Sequence, residues 1–199
     1  DGGSVTINAA HEEGKADYSS EVGALASAGG QALVVAGYID GAGKNVTQGA
    51  IDTGAFDMFL FPDGMIGANL ENFGTDLDGS LGTVPGLDPA NPAASAMAKI
   101  GEANGFAGGD AFVGESYDAA ALMLLAMASA KSSDPQVYKD HVMKVANGTG
   151  EKIYPGELAK GIKLASYGIA IDYVGASSVT LIGPGEAAGN FREIQIQNG

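Results

Sequence analysis

In the stretch VVAGYIDGAGKNVTQGA, Val34 to Ala50, a short apolar run leads into a glycine-rich turn ending in Gly43-Lys44. Strand, glycine loop, lysine and helix is the order of a phosphate-binding loop. Its backbone amides cradle phosphate, and a hydroxyl after the lysine binds magnesium. That chemistry needs four residues between the first glycine and the Gly-Lys pair. Here five residues separate Gly37 from Gly43, and Asn45 stands where the hydroxyl belongs. The nucleotide pattern fails twice. What remains is more general: in open parallel sheets, ligands sit beyond the carboxyl ends of strands, among loop amides and helix N-termini. Tyr38 and Asp40 follow one apolar run, and Asp63 follows the next, in FPDGM. A tyrosine ring offers apolar cover and a carboxylate offers a counter-ion for an ammonium. Gly37 and Gly64 flank these residues and complete the candidate ligand-binding set. Asp-Gly is also a common turn pair, so for Asp63 the turn and the ligand readings stand side by side.

Other chemistries find little support. The chain has no cysteine, which excludes thiolate metal sites and cysteine nucleophiles. His11 and His141 are far apart in sequence and neither belongs to a metal-ligand pattern. Ser116 lacks the G-x-S-x-G setting of a hydrolase nucleophile. Glu12-Glu13 and Asp76 with Asp78 resemble acid–base pairs, but they lie in polar stretches that read as solvated surface. Tyr117-Asp118 suits the dipole at the first turn of a helix. Asn45-Val46-Thr47 and Asn147-Gly148-Thr149 match glycosylation acceptors, a pattern short enough to recur by chance. The expectation is no catalytic residue, no metal and no cofactor: not an enzyme.

The elements that must position Tyr38 and Asp63 follow from periodicity. Ser4 to Ala10 alternates and reads as a strand. Asp17 caps a helix carrying Tyr18, Val22, Leu25 and Ala28, stopped by Gly29-Gly30. Ala32 to Ala36 reads as a strand covered on both faces. A helix then places Val46, Ala50 and Ile51 inward and ends at Gly54, and Met58 to Phe61 forms another buried strand ended by Pro62. This alternation predicts an α/β fold with a parallel sheet. After the short strand in SLGTV, the run PGLDPANP marks a crossing or hinge. Helices are then expected over Pro92 to Asn104, Ser116 to Lys131, Pro135 to Ala146 behind the cap Asp134, and Glu157 to Ser166. The second of these is apolar around nearly its whole circumference, which predicts a deep core helix. Strands at Ala170 to Tyr173, Ser177 to Ile182 and Asn190 to Gln197 close the chain, the last two joined by the turn GPGEAAG. The middle helices have little strand nearby to cover.

A net charge of -14 argues against nucleic acid and anionic membrane as partners. No basic-then-apolar leader opens the sequence, so an export signal is expected to have been removed or never present. The longest apolar run, Ala119 to Ala128, falls short of the roughly 20 residues that span a bilayer.

Several stretches together, DYSSEVGALASAGGQALVVAGY, FLFPDG, DGSLGTVPG, VGESYDAAALMLLAMASA and DYVGASSVTLIGPGEAAGNFREIQI, occur in the order seen in type I periplasmic substrate-binding proteins of ABC transporters. The chain most resembles the C-terminal portion of the branched-chain amino-acid receptors. The resemblance implies a doubly wound α/β lobe over residues 1–81, the helical part of a partner lobe over 82–174, and return strands over 175–199. It implies hinges near Gly82 to Pro85 and Gly175 to Val179, and ligand enclosed between lobes. Sheet strands for the orphan helices would come from a segment preceding Asp1. Tyr38 and Asp63 match the family's ligand-facing tyrosine and acidic residue, Asp63 being shorter than the usual glutamate. The implied partners are a small amino-acid ligand and an ABC permease, in the periplasm. Two alternatives remain: a truncated fragment inactive alone, with a second copy as substitute partner, or a Rossmann-like nucleotide-dependent enzyme.

Overall fold

The computed structural model describes residues 2–183 and 185–199. The chain divides into two compact units. One comprises residues 1–84 and 192–199, and the other residues 85–191. The segment 175–191 therefore lies in the second unit.

The first unit is an α/β sandwich built by short alternating elements. Helix α1 (Ser19–Ala28) opens behind Asp17, whose Oδ1 accepts from the Ser19 amide and hydroxyl, and it stops at Gly29. Strand β1 (Ala32–Val34), helix α2 (Ala42–Thr53) and strand β2 (Met58–Phe61) follow, with Gly54 ending α2 in the left-handed conformation. Two 3₁₀ turns, Asp63–Met65 and Ala68–Leu77, lead to β3 (Leu81–Pro85). The sheet order is β1-β2-β3-β8, where β8 is Phe191–Gln195. β1 runs parallel to β2, pairing Leu33 with Phe59, and β2 runs parallel to β3, pairing Leu60 with Leu81.

Side chains alternate across this sheet. Leu33, Val35, Phe59 and Phe61 point into a core shared with Val22, Val46, Ala50 and Met65. On the other face Ala32 and Val34 are exposed, Val34 at 62%. The expectation of strands covered on both faces is thus corrected: one face is packed, and the small-apolar run reflects β propensity as much as burial. Ser4 to Ala10 forms no strand. Its alternation is real, but no strand among the described residues pairs with it, and Val5 is exposed.

The second unit carries helices α3 (Pro92–Asn104), α4 (Val113–Ala130), α5 (Pro135–Ala146) and α6 (Leu158–Ser166). Asn91 and Asp134 each accept a hydrogen bond from the second amide of the helix they cap, and each is followed by proline at the first turn. Strands β4 (Glu151–Ile153) and β5 (Ile171–Tyr173) pair in parallel around α6, while β6 (Thr180–Gly183) and β7 (Glu186–Ala188) form an antiparallel ribbon. The core gathers Leu122, Leu125, Val145, Ile153, Ile171 and Tyr173. α4 is only half buried. Met123 and Leu124 are exposed, so the expectation of a helix enclosed on all sides is also corrected.

Candidate functional site

The site grows from the carboxyl ends of β1 and β2. Val35 N–H still donates to Leu60 O, extending the ladder one residue past β1. The chain then leaves the sheet through Gly37 and Tyr38 and is caught again at Ile39, whose amide donates to Gly64 O at 3.0 Å. Strand β2 ends at Pro62, and Asp63-Gly64-Met65 turns beside it, with Met65 N–H on Pro62 O and Ile66 N–H on Asp63 O. The two loops touch. A Cβ on Gly64 would lie 2.7 Å from Gly37 O and 3.2 Å from the Tyr38 ring, so only glycine allows this approach.

The four candidate residues are therefore brought together at one mouth. Tyr38 holds its ring outward, 69% exposed, while the neighbouring Ile39 is buried. Asp63 is half buried; its Oδ1 accepts from the Gly64 amide at 2.8 Å. That bond is the turn expected of an Asp-Gly pair. Oδ2 has no hydrogen-bond donor among the described residues, so the turn uses one oxygen and leaves the other able to meet a cation. Asp40, on the same loop as Tyr38, is held by the Asn69 side-chain amide.

The Gly43-Lys44 pair has a packing explanation. A Cβ on Gly43 would fall 2.3 Å from Met65 Sδ and 2.7 Å from Tyr38 O, so glycine is required by the turn beneath the site. Lys44 and Asn45 are exposed, and buried Thr47 donates its hydroxyl to Gly43 O. The Asn45 glycosylation pattern thus has its hydroxyl engaged inside α2. Asn147, in the other such pattern, spends its amide on the Leu181 backbone through both its oxygen and its nitrogen.

Sequence reasoning missed the residues that reach this mouth from the N-terminal segment. His11 is half buried, its Nε2 would lie 3.5 Å from a Cβ on Gly37, and its ring meets Tyr18 edge-on. Glu13 was expected as solvated surface. It is indeed exposed, 56% at the side chain, and it also accepts from Ala42 N–H at the start of α2 at 2.9 Å. The Glu13 contact spans 29 residues, and no local pattern announces it. A separate cleft of ≈ 450 Å³ lies along α1 and α2, lined by Asp17, Ser19, Gln48 and Asp52, and contains none of the four candidates.

Among the described residues of the second unit, one buried carboxylate is saturated with donors. Asp118, 1% exposed, accepts from Tyr173 Oη–H (2.7 Å), Ala176 N–H (2.9 Å), Ser177 N–H (2.8 Å) and Ser177 Oγ–H (2.7 Å). Burial, then the Asp118 charge, pushes the Tyr173 phenol far above its ordinary value, so it stays a donor. Asp118 is an anchor for the loop after β5; α4 begins at Val113, so this residue lies past the first turn where a charge answers the helix dipole. The backbone expected as a hinge at Gly175 to Val179 is tied to it, and Gly175 O also accepts from Asn91. Ser116 is exposed; elsewhere Ser129 bonds His141 Nδ1 at 2.8 Å across α4 and α5.

Among the described residues no group of three or more His, Asp or Glu side chains is placed to hold a metal, and no helix is long and apolar enough to cross a membrane. No protein-family model and no curated protein matches the chain. In fold it is similar to a solved leucine-binding protein, LivK of Thermotoga maritima, with a TM-score of 0.62 and 19% identity. The match covers 93% of this chain and 47% of that one, so the chain spans about half the neighbour's length. At that identity the likeness establishes the fold, an α/β architecture of the periplasmic-binding-protein kind with a parallel-dominated sheet.

Proposed function

We propose that this chain is the solute-binding part of an ABC-importer receptor that takes a branched-chain amino acid or similar small ligand and closes over it by hinge motion. The observation that carries the reading is the meeting of the Gly37-Tyr38 and Asp63-Gly64 loops beyond the carboxyl ends of β1 and β2. In this reading Asp63 Oδ2 receives the ligand ammonium in a charge-assisted hydrogen bond. The Tyr38 ring covers the apolar side chain, and Gly37 and Gly64 let the backbone come close. Ligand bound to such a wall favours the closed state by its differential affinity for it. Exported localisation and delivery to a permease belong to the same proposal, supported by the likeness in fold to a leucine-binding protein.

The test is amide NMR of the 199-residue chain titrated with leucine, isoleucine and valine, and with a simple amine and ATP as comparisons. The expected result is saturable shifts at Ile39, Gly64 and Met65 for the amino acids, weakened at least tenfold in Tyr38→Ala. ATP shifts that vanish in Lys44→Ala would instead favour a nucleotide-dependent enzyme. No response to any amino acid or amine at these amides would end the proposal.

A further inference from the structure

Helix α2 begins without a cap from its own neighbourhood. Gly41 stands at its N-cap, no side chain there accepts a first-turn amide, and the first turn contains no acidic residue. Such an end carries unpaired N–H groups and the positive pole of the helix dipole, the ordinary seat of a bound carboxylate or phosphate. In this chain the seat is filled from within. Glu13 Oε2 accepts from Ala42 N–H at 2.9 Å, from a segment 29 residues upstream. The fit is close: a Cβ on Gly41 would come within 2.6 Å of the same oxygen. The segment bearing Glu13 is pinned on both sides. Buried Tyr18 donates its hydroxyl to Glu12 O at 2.8 Å, and Thr6 donates its hydroxyl to Gly29 O. His11, two residues before Glu13, lies over Gly37 and within 3.9 Å of the Glu13 carboxylate.

We propose that Glu13 is a specificity-determining residue of this mouth: its carboxylate occupies the α2 N terminus and so denies that position to anionic ligand groups. The loops of Tyr38 and Asp63 are left to a cationic group. The inference rests on reading the mouth as a ligand site. Asp40 and Asp63 on the adjoining loops add to the same field, so an arriving carboxylate or phosphate meets repulsion and a filled seat together.

The test uses the full 199-residue chain and two probes, inorganic phosphate and acetate, at matched ionic strength. The Ala42 and Gly43 amides are read by NMR. Wild type is expected to show no saturable shift. Glu13→Ala removes the occupant, and Gly41→Ala displaces it while leaving Glu13 in the sequence. Each is expected to bind phosphate at these amides at least tenfold more tightly than wild type. Glu13→Gln, which keeps an acceptor but drops the charge, is expected to fall between. Wild type binding as well as the variants would overturn the proposal. So would native-like spectra of Gly41→Ala and Glu13→Gln with no phosphate response in either. Should Glu13→Ala fail to fold, those two variants carry the comparison. Amino-acid shifts at Gly64 are read separately, so a mouth that binds no amino acid is told apart from a seat that excludes no anion.

Discussion

Two aspartates, one in each unit, show how differently a single side chain can be used. Asp118 is buried and saturated, with four donors converging on its two oxygens. Asp63 is half buried, with one oxygen closing its own turn and the other without a donor among the described residues. A carboxylate whose hydrogen-bonding capacity is spent inside the protein stabilises a fold. One with capacity left over, beside an exposed aromatic ring, can do something for a ligand. The difference lies in the partners: Asp63 opens a 3₁₀ turn and Asp118 lies inside α4, and the residues next to each in sequence do not say which is saturated.

Removing Asp118 should give the largest effect. Asp118→Ala leaves the amides of Ala176 and Ser177, the Tyr173 hydroxyl and the Ser177 hydroxyl without their acceptor. An unsatisfied buried polar group costs about 1–3 kcal/mol, and such losses are not additive. A loss of about 4 kcal/mol is expected, among the large values for single substitutions. Urea unfolding followed by tyrosine near-UV circular dichroism measures it, and hydrogen exchange at Ala176 and Ser177 should accelerate most. Unchanged protection at those two amides would remove Asp118 as the anchor of this loop.

Tyr173→Phe makes a sharper cut into the same centre. It deletes one donor to a charged acceptor and leaves three in place, for an expected loss of about 1.5–3 kcal/mol. A loss equal to that of Asp118→Ala would mean that the phenol alone carries the anchor. The unfolding midpoints of the two variants decide between these cases.

How much of this was legible in the sequence depends on how far apart the interacting residues lie. Helices α3 and α5 were readable to the residue because a short polar cap followed by proline is written locally, in Asn91-Pro92 and Asp134-Pro135. Strand β2 was readable because Pro62 ends it. β4 was not: in GEKIYPG a strand exists only because β5 pairs with it, and β7 hides in a turn sequence for the same reason. Tyr38 and Asp63 could be placed from the rule that loops at the carboxyl ends of parallel strands meet. Asp118 was read only as suiting the dipole at the first turn of a helix, because its partners come 55 to 59 residues later. Glu13 is the surface carboxylate it was read as, but its cap on a helix end 29 residues away was not foreseen. Long-range polar contacts leave no period in the sequence, whereas caps and strand alternation do.

At Asp63 the comparison predicts the opposite balance of effects. Asp63→Asn keeps an oxygen for the Gly64 amide and removes only the charge, so stability should change by less than about 0.5 kcal/mol. If the free oxygen meets a ligand ammonium, affinity for an amino acid should fall at least tenfold, read from the same Gly64 shifts. A variant that loses stability like Tyr173→Phe but keeps its affinity would make Asp63 a structural residue and erase the contrast with Asp118.

The smallest effect expected is electrostatic and lies away from both aspartates. Glu21 on α1 is held down to about 2 from its ordinary value of 4.5, first by the hydrogen bond from the Lys15 ammonium and then by the Ser20 hydroxyl. Lys15 is correspondingly raised. A carboxyl depressed in the folded state binds protons less readily there than in the unfolded chain. Its contribution is present above the unfolded value and is lost as pH falls from about 4.5 through about 2. The pair is open to solvent and screened by salt, so its contribution to stability is small. The direct measurement is the side-chain carboxyl carbon of Glu21 followed by NMR during acid titration. A midpoint near the ordinary glutamate value, or no upward movement in Lys15→Ala, would show that the ion pair is not maintained in solution. A depressed midpoint that moves up with added salt would confirm a pair that is formed but screened, a third way of using a carboxylate beside the saturated Asp118 and the open Asp63.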